Sequence, residues 1–204
     1  MILFRPVGRK EIDLIMNTGN RRFPERLPAQ PIFYPVLNKE YAFQIARDWN
    51  TKDEKSEYCG FVLEFEVNDE YISKFEIHKV GSSLHKELWV PAEELEEFNQ
   101  NIKRNILLIK AFYGEEYKGK ALIKTPLQSK NYDEQLLYLC ALKNTNTMDF
   151  ICEVLVQWKI ISQNYFLWKE RGFSSLGIKD DEKESLLNSM KTILIENVKW
   201  FMKE

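Results

Sequence analysis

Apolar residues recur along this chain in two rhythms, and the change from one to the other divides it. Ile2 to Val7 reads as an opening strand, with Arg5 set among apolar neighbours. Ile12, Ile15 and Met16 then fall at helical spacing, which predicts a short helix over residues 9–17 with Gly19 as its stop. Three prolines between Asn20 and Pro31 argue for an extended loop. Ile32 to Val36 is a short strand candidate, and Asn38 is placed to cap a helix from Lys39 to about Trp49, with Tyr41, Ala42, Ile45, Ala46 and Trp49 on one face. Residues 50–56 are polar and turn-like. Tyr58 to Val67 alternates, with Phe61, Leu63, Phe65 and Val67 on one side and Glu64 and Glu66 on the other, the pattern of a half-buried strand. Tyr71, Ile72 and Phe75 mark a helical turn before a segment from Glu76 to Val80, and Gly81-Ser82-Ser83 breaks the chain. Asn105 to Phe112 is a last apolar strand, ended by Gly114.

From Asp133 onward the pattern is helical only. Three helices are expected: Asp133 to Lys143, Thr147 to Lys169 with Gly172 after it, and Asp180 to Met202, with Thr147 and Asp180 as N-caps. The middle run is apolar over so much of its circumference that it should be central to the packing of this part. The expected fold class is therefore α+β: a head over residues 1–116 with a mixed or antiparallel β core and short helices, a linker over 117–130, and an all-α tail of three helices over 131–204.

The most chemical stretch is His85 to Leu95. It predicts a strand from Glu87 to Val90 running into a helix that opens at Pro91, a residue suited to the first helical position because its missing N–H would be unpaired there. Glu93 and Glu94 would complement the dipole of that first turn. Glu87 is a carboxylate at the head of an otherwise apolar strand. If the strand extends back to His85, the two groups share a face.

Composition narrows the classes. With 44% hydrophobic residues the chain can build a core, and a net charge of −2 gives no global pull toward nucleic acid or a membrane surface. Nucleic-acid binding would need a local patch, and the one offered is Arg21, Arg22 and Arg26 around Phe23, which could hold phosphate or a ribose-linked ligand or could be a solvated loop. Cys59, Cys140 and Cys152 are odd in number and lack CxxC spacing, as suits a reducing compartment, and two histidines make a zinc site unexpected. No signal peptide or membrane span is read, so the expected location is cytoplasmic, with no metal and no membrane partner.

Phe4-Arg5-Pro6-Val7, Arg22-Phe23-Pro24, the stretch from Gln30 to Asn38, Ile45-Ala46-Arg47-Asp48-Trp49-Asn50 and the stretch around Glu87 carry a resemblance. The order of elements over residues 1–112 resembles the ADP-ribosyltransferase fold of the diphtheria-like and cholera-like toxins. More closely, these motifs look like a family of small bacterial proteins labelled ADP-ribosylation/crystallin J1. The helical tail lies outside the resemblance.

The resemblance implies an NAD-binding protein that transfers ADP-ribose to an unknown protein or nucleic-acid acceptor. Arg5 matches the first-strand anchor of the dinucleotide, and Glu87, by its place before Trp-Val-Pro, matches the catalytic glutamate. Arg22 would help to hold the cofactor, and Phe33, Tyr34 or Tyr41 would stack on nicotinamide. His85 would orient Glu87 or assist a nucleophile. Ser-Thr-Ser is absent, with Tyr34 and Tyr41 as stand-ins, and His85-Lys86-Glu87 stands where arginine-modifying members carry Glu-x-Glu. Two other readings remain open: a non-catalytic interaction module on the same fold, and a nucleic-acid-directed protein using the basic loop over 21–26. The tail is expected to form a homodimer, contact a partner or cover the site.

Overall fold

A computed structural model describes residues 1–198, 202 and 203. These divide into two compact units, residues 1–117 with 202 and 203, and residues 118–198. The protein is mixed α+β, with small antiparallel sheets in the first unit and helices throughout the second.

The first unit is built on β1 (Ile2–Val7), β3 (Cys59–Glu66) and β7 (Leu107–Tyr113), antiparallel in the order β1-β3-β7. The first five residues of β3 are all buried, so its even positions do not face water as simple alternation suggests. Two helices explain this. Helix α1 (Arg9–Asn17) buries Ile12, Ile15 and Met16 on the first unit's core, and α2 (Lys39–Asp48) covers the opposite face, where Phe4, Val36, Ala42, Ala46 and Val62 form one cluster. Asn38 caps α2 by accepting from the N–H groups of Glu40 and Tyr41 at 2.8 and 3.1 Å. Trp49 falls at the C-cap and is 54% exposed rather than on the inner face, because the helix ends at Asp48.

Prolines shape the centre of this unit. The expected strand from Ile32 to Val36 is instead a two-residue β2 (Ile32–Phe33) followed by a single bridging residue, Val36. Pro31 and Pro35 have no N–H to give to a continuous ladder. Val36 exchanges both backbone hydrogen bonds with Phe4 of β1, at 2.8 and 2.9 Å, while its neighbours Leu37 and Pro35 bond to Lys86 and Leu88 of β5 (Lys86–Leu88) at 3.0 and 2.9 Å. In turn β5 pairs with β4 (Ile77–Lys79), setting Glu87 opposite His78. After a break at Trp89, β6 (Val90–Pro91) pairs with β2. Pro91 is therefore extended, with φ −56° and ψ 146°, and does not open the helix. A 3-10 turn over Ala92–Glu94 follows and leads into α4 (Leu95–Gln100). The helical turn read at Tyr71 and Ile72 is α3 (Asp69–Ile72).

The second unit holds four helices of ten or more residues among those described, against three expected: α5 (Tyr132–Thr145), α6 (Thr147–Val156), α7 (Trp158–Glu170) and α8 (Asp180–Asn197). The middle run is broken at Gln157, a buried residue whose side-chain amide donates to the Ile123 carbonyl at 2.9 Å and to Thr125 Oγ1 at 2.6 Å. The residue over which the apolar period runs unbroken is thus the one recruited to hold the preceding loop. The caps sit one position earlier than read, on Asn146 and Lys179. Helix α8 ends at Asn197 and not Met202, which instead bridges Leu108; residues 199–201 lie outside the described residues. The stretch read as a linker is packed: Ala121 and Leu127 are buried, and Gln135 donates to the Gly119 carbonyl at 2.6 Å.

Helix α2 lies so close to β3 that a Cβ on Gly60 would come within 2.7 Å of Ala46 Cα and closer still to the Ala46 carbonyl oxygen. Gly60→Ala is expected to push α2 off the sheet and cost about 3 kcal/mol of stability, read as a lowered urea midpoint.

Candidate functional site

Glu87 sits in the middle of β5, half-buried, with both carboxylate oxygens engaged. The Tyr41 hydroxyl donates to Oε1 at 2.9 Å, and the Trp89 indole N–H donates to Oε2 at 3.2 Å. Tyr41 reaches it because the Asn38 cap fixes the start of α2. Trp89 reaches it from two residues further on, in the break between β5 and β6. The Tyr41 ring stacks on His85 with centroids 4.2 Å apart and planes 18° apart, and His85 Nε2 lies 3.0 Å from Gln44 Oε1, one helical turn along α2. On the other side His78, paired across the hairpin with Glu87, stacks on Trp89 at 4.0 Å and 18°. Tyr34 meets Trp89 edge-on at 5.8 Å. One carboxylate is thus flanked by two imidazole–aromatic stacks.

Both donors to Glu87 are neutral, so they hold the carboxylate without cancelling its charge. Burial and then the hydrogen bond from Tyr41 to Glu87 push the Tyr41 hydroxyl up to about 12. The group is a fixed anion beside a Trp89 ring that is 38% exposed. Such an arrangement can hold a hydroxyl-rich ring and stabilise positive charge that develops on it.

Arg5 belongs elsewhere. The bridges Phe4 to Val36 and Val36 to Glu87 put Phe4 on the face of Glu87, so alternation turns Arg5 to the opposite face of β1. There its Nε and Nη2 donate to the two oxygens of Glu11 at 2.9 and 3.1 Å, and Nη1 donates to the Tyr34 carbonyl at 3.2 Å. Its guanidinium lies 4.8 Å over the Phe33 ring. Arg26 approaches the same carboxylate at 4.0 Å, its pKa lowered by burial and by Arg5. Phe33 is fully buried between Phe23 and Phe98, at 4.8 and 5.3 Å, so its ring is core and offers no face to a ligand. Arg22 is exposed and pairs with Glu96.

Of the residues singled out from the sequence, the structure brings together Glu87, His85 and Tyr41, with Tyr34 at the edge through Trp89. Arg5, Phe33 and Arg22 are not part of that cluster. Trp89, His78 and Gln44 are additions. Trp89 was readable, since it follows Glu87 by two, and Gln44 follows Tyr41 by three on a helix. His78 needed the hairpin register, which nothing local specifies.

Cavities elsewhere are lined by other residues. One of 820 Å³ lies in the helical unit along α5, α6 and α8, and two of 460 and 510 Å³ lie in the first unit around Arg22 and Asn99. Among the described residues no group of three or more His, Cys, Asp and Glu could hold a metal ion, and no helix is long and apolar enough to cross a membrane. Comparison with protein-family models, curated proteins and solved structures returns no match for this chain.

Two outcomes follow from these geometries. Because Tyr41 has a folded pKa near 12 against an ordinary 10, the folded state holds its proton more tightly; this contribution is complete below about pH 10 and is lost as pH rises toward 12. Ultraviolet titration should show one late phenol fewer in Tyr41→Phe than in the wild type, where Tyr71 and Tyr117 are also late, and Glu87→Gln should bring the Tyr41 phenol part of the way down, since burial is the larger cause. Arg5→Ala, which strands Glu11 beside the aromatic core, should cost about 2 kcal/mol in urea unfolding.

Proposed function

We propose that this chain binds NAD and acts as an ADP-ribosyltransferase-like protein, with Glu87 as its working carboxylate and an acceptor still to be identified. The observation that supports this reading is the fixation of both Glu87 oxygens by neutral donors on a partly exposed aromatic face. When the bond between nicotinamide and ribose breaks, its electron pair leaves with nicotinamide and the sugar carbon takes on oxocarbenium character. A carboxylate that keeps its full charge and does not have to reorganise lowers the energy of that state. Tyr41 and Trp89 hold Glu87 in register, and the exposed part of Trp89, with Tyr34 at its edge, supplies an apolar surface for a planar ring. His85, partnered by Tyr41 and Gln44, is placed to take the proton that the acceptor releases when it adds to the sugar.

Arg5 has no part in this reading as a phosphate anchor, because Glu11 occupies its fork from the other face of β1. That same contact favours a second reading, a binding module on this fold that has no turnover. The two separate in one experiment on purified protein: NAD⁺ binding by calorimetry alongside nicotinamide release, with Glu87→Gln and Tyr41→Phe as variants. Glu87→Gln should lower release by about a hundredfold or more while binding stays within a few-fold, and Tyr41→Phe should lower it by about tenfold. Binding without release in the wild type would select the module, and a wild type that does not bind NAD⁺ would end the transferase reading.

A further inference from the structure

The 460 Å³ cavity is lined by Arg21, Arg22, Lys103 and Arg104 together with Asn99, Gln100, Ile102 and Asn105, and no acidic residue is among its lining residues. We infer that this cavity is a binding site for the phosphate or pyrophosphate group of a small molecule. It shares no residue with the Glu87 cluster and does not rest on the function proposed there.

Two chain segments make the cavity, and both are pinned. Gly19 and Asn20 take left-handed backbone, with φ 67° and 62°, and turn the chain out of α1 so that Arg21 and Arg22 follow at once. The Asn20 carbonyl then accepts from the Ile106 N–H at 2.7 Å, which sets this turn beside Lys103, Arg104 and Asn105. Asn99, itself buried, clamps the next residue with both ends of its amide: Oδ1 accepts from the Phe23 N–H at 2.8 Å and Nδ2 donates to the Phe23 carbonyl at 3.0 Å. The second segment is held by Lys103 N–H donating to the Glu66 carbonyl at 2.8 Å and by the bridge between Val67 and Ile102.

The charges do not balance inside this frame. Arg22 pairs with Glu96, Lys103 with Glu66 and Asp69, and Arg104 with Glu66, so three carboxylates standing outside the lining answer three of the cations. The Arg21 guanidinium makes no ion pair among the described residues. In a chain of net charge −2 this is a local excess of positive charge in a concavity, where field lines concentrate. Guanidinium forks match phosphate oxygens two at a time, and among the three arginines here the Arg21 fork is the one that no carboxylate of the described residues occupies. The ring beside them, Phe23, is buried to 3% exposure, so no platform for stacking a base lies at this rim. That favours a compact anion over a nucleic-acid strand, which is read by stacking as well as by charge.

The test is calorimetric titration of the full chain with inorganic pyrophosphate at low and moderate salt, in parallel with a single-stranded oligonucleotide. The wild type should bind one pyrophosphate saturably, more weakly as salt rises. Arg21→Gln with Arg104→Gln should weaken it tenfold or more without moving the melting temperature, since both side chains are exposed. Glu87→Gln should leave pyrophosphate binding unchanged. No saturable binding, equal binding by the double variant, or binding of the oligonucleotide alone would each overturn the assignment.

Discussion

The segment centred on Val36 joins β1 to β5. Its two backbone hydrogen bonds to Phe4 fasten it to β1, and the bonds of Pro35 and Leu37 fasten the same segment to β5. Without that stitch the three-stranded sheet would end at β1, and the β4–β5 hairpin that carries Glu87 and His78 would lose its backbone pairing to it. Everything at the candidate site inherits its position from this point. Asn38, two residues later, starts α2, and three residues beyond the cap Tyr41 arrives over Glu87. The Val36 side chain also fills the cluster that α2 covers, so the backbone bridge and the packing of the helix reinforce one another.

That constraint also explains why two charged groups that a linear reading couples are kept apart. A bridge that aligns Phe4, Val36 and Glu87 across the sheet commits Phe4 to the face of Glu87 and Arg5 to the reverse face. Arg5 is then desolvated against Phe33 and has to be met by a carboxylate, which Glu11 supplies from the next element. A partly buried guanidinium with its fork filled is a structural member, because removing either partner leaves the other uncompensated. Glu87 is in the opposite condition. Its donors are a phenol and an indole, neither of which opposes its charge, and it stays open to a further partner.

The sequence was most informative where local rules suffice. The bounds of β1 and α1, the Asn38 cap and the helical character of the second unit all follow from period, cap residues and turn residues that act within a few positions. It was misleading where a distant partner overrode local preference. Pro91 is well suited to open a helix, yet pairing with Ile32 keeps it extended. Gln157 lies inside an apolar run long enough for one helix, yet it breaks that run to satisfy Ile123 and Thr125. At the site, Glu87, His85 and Tyr41 could be picked out by residue type and spacing. Their convergence could not, since Tyr41 and Glu87 are 46 positions apart and meet through the Val36 bridge.

The same constraint bears on how a cluster such as that of Glu87 can work on a half-exposed surface. An anion on a half-exposed surface is ordinarily screened and mobile, and contributes little to a transition state. Here mobility is removed from three directions: the strand backbone through Val36, the helix through Tyr41, and the break after β5 through Trp89. The two side-chain anchors are themselves braced by rings, His85 behind Tyr41 and His78 behind Trp89. Braces of this kind do little for an ordinary surface carboxylate, which gains as much from water as from a phenol. They matter if the position of the charge matters, and that is the physical content of assigning Glu87 a role in chemistry rather than in stability.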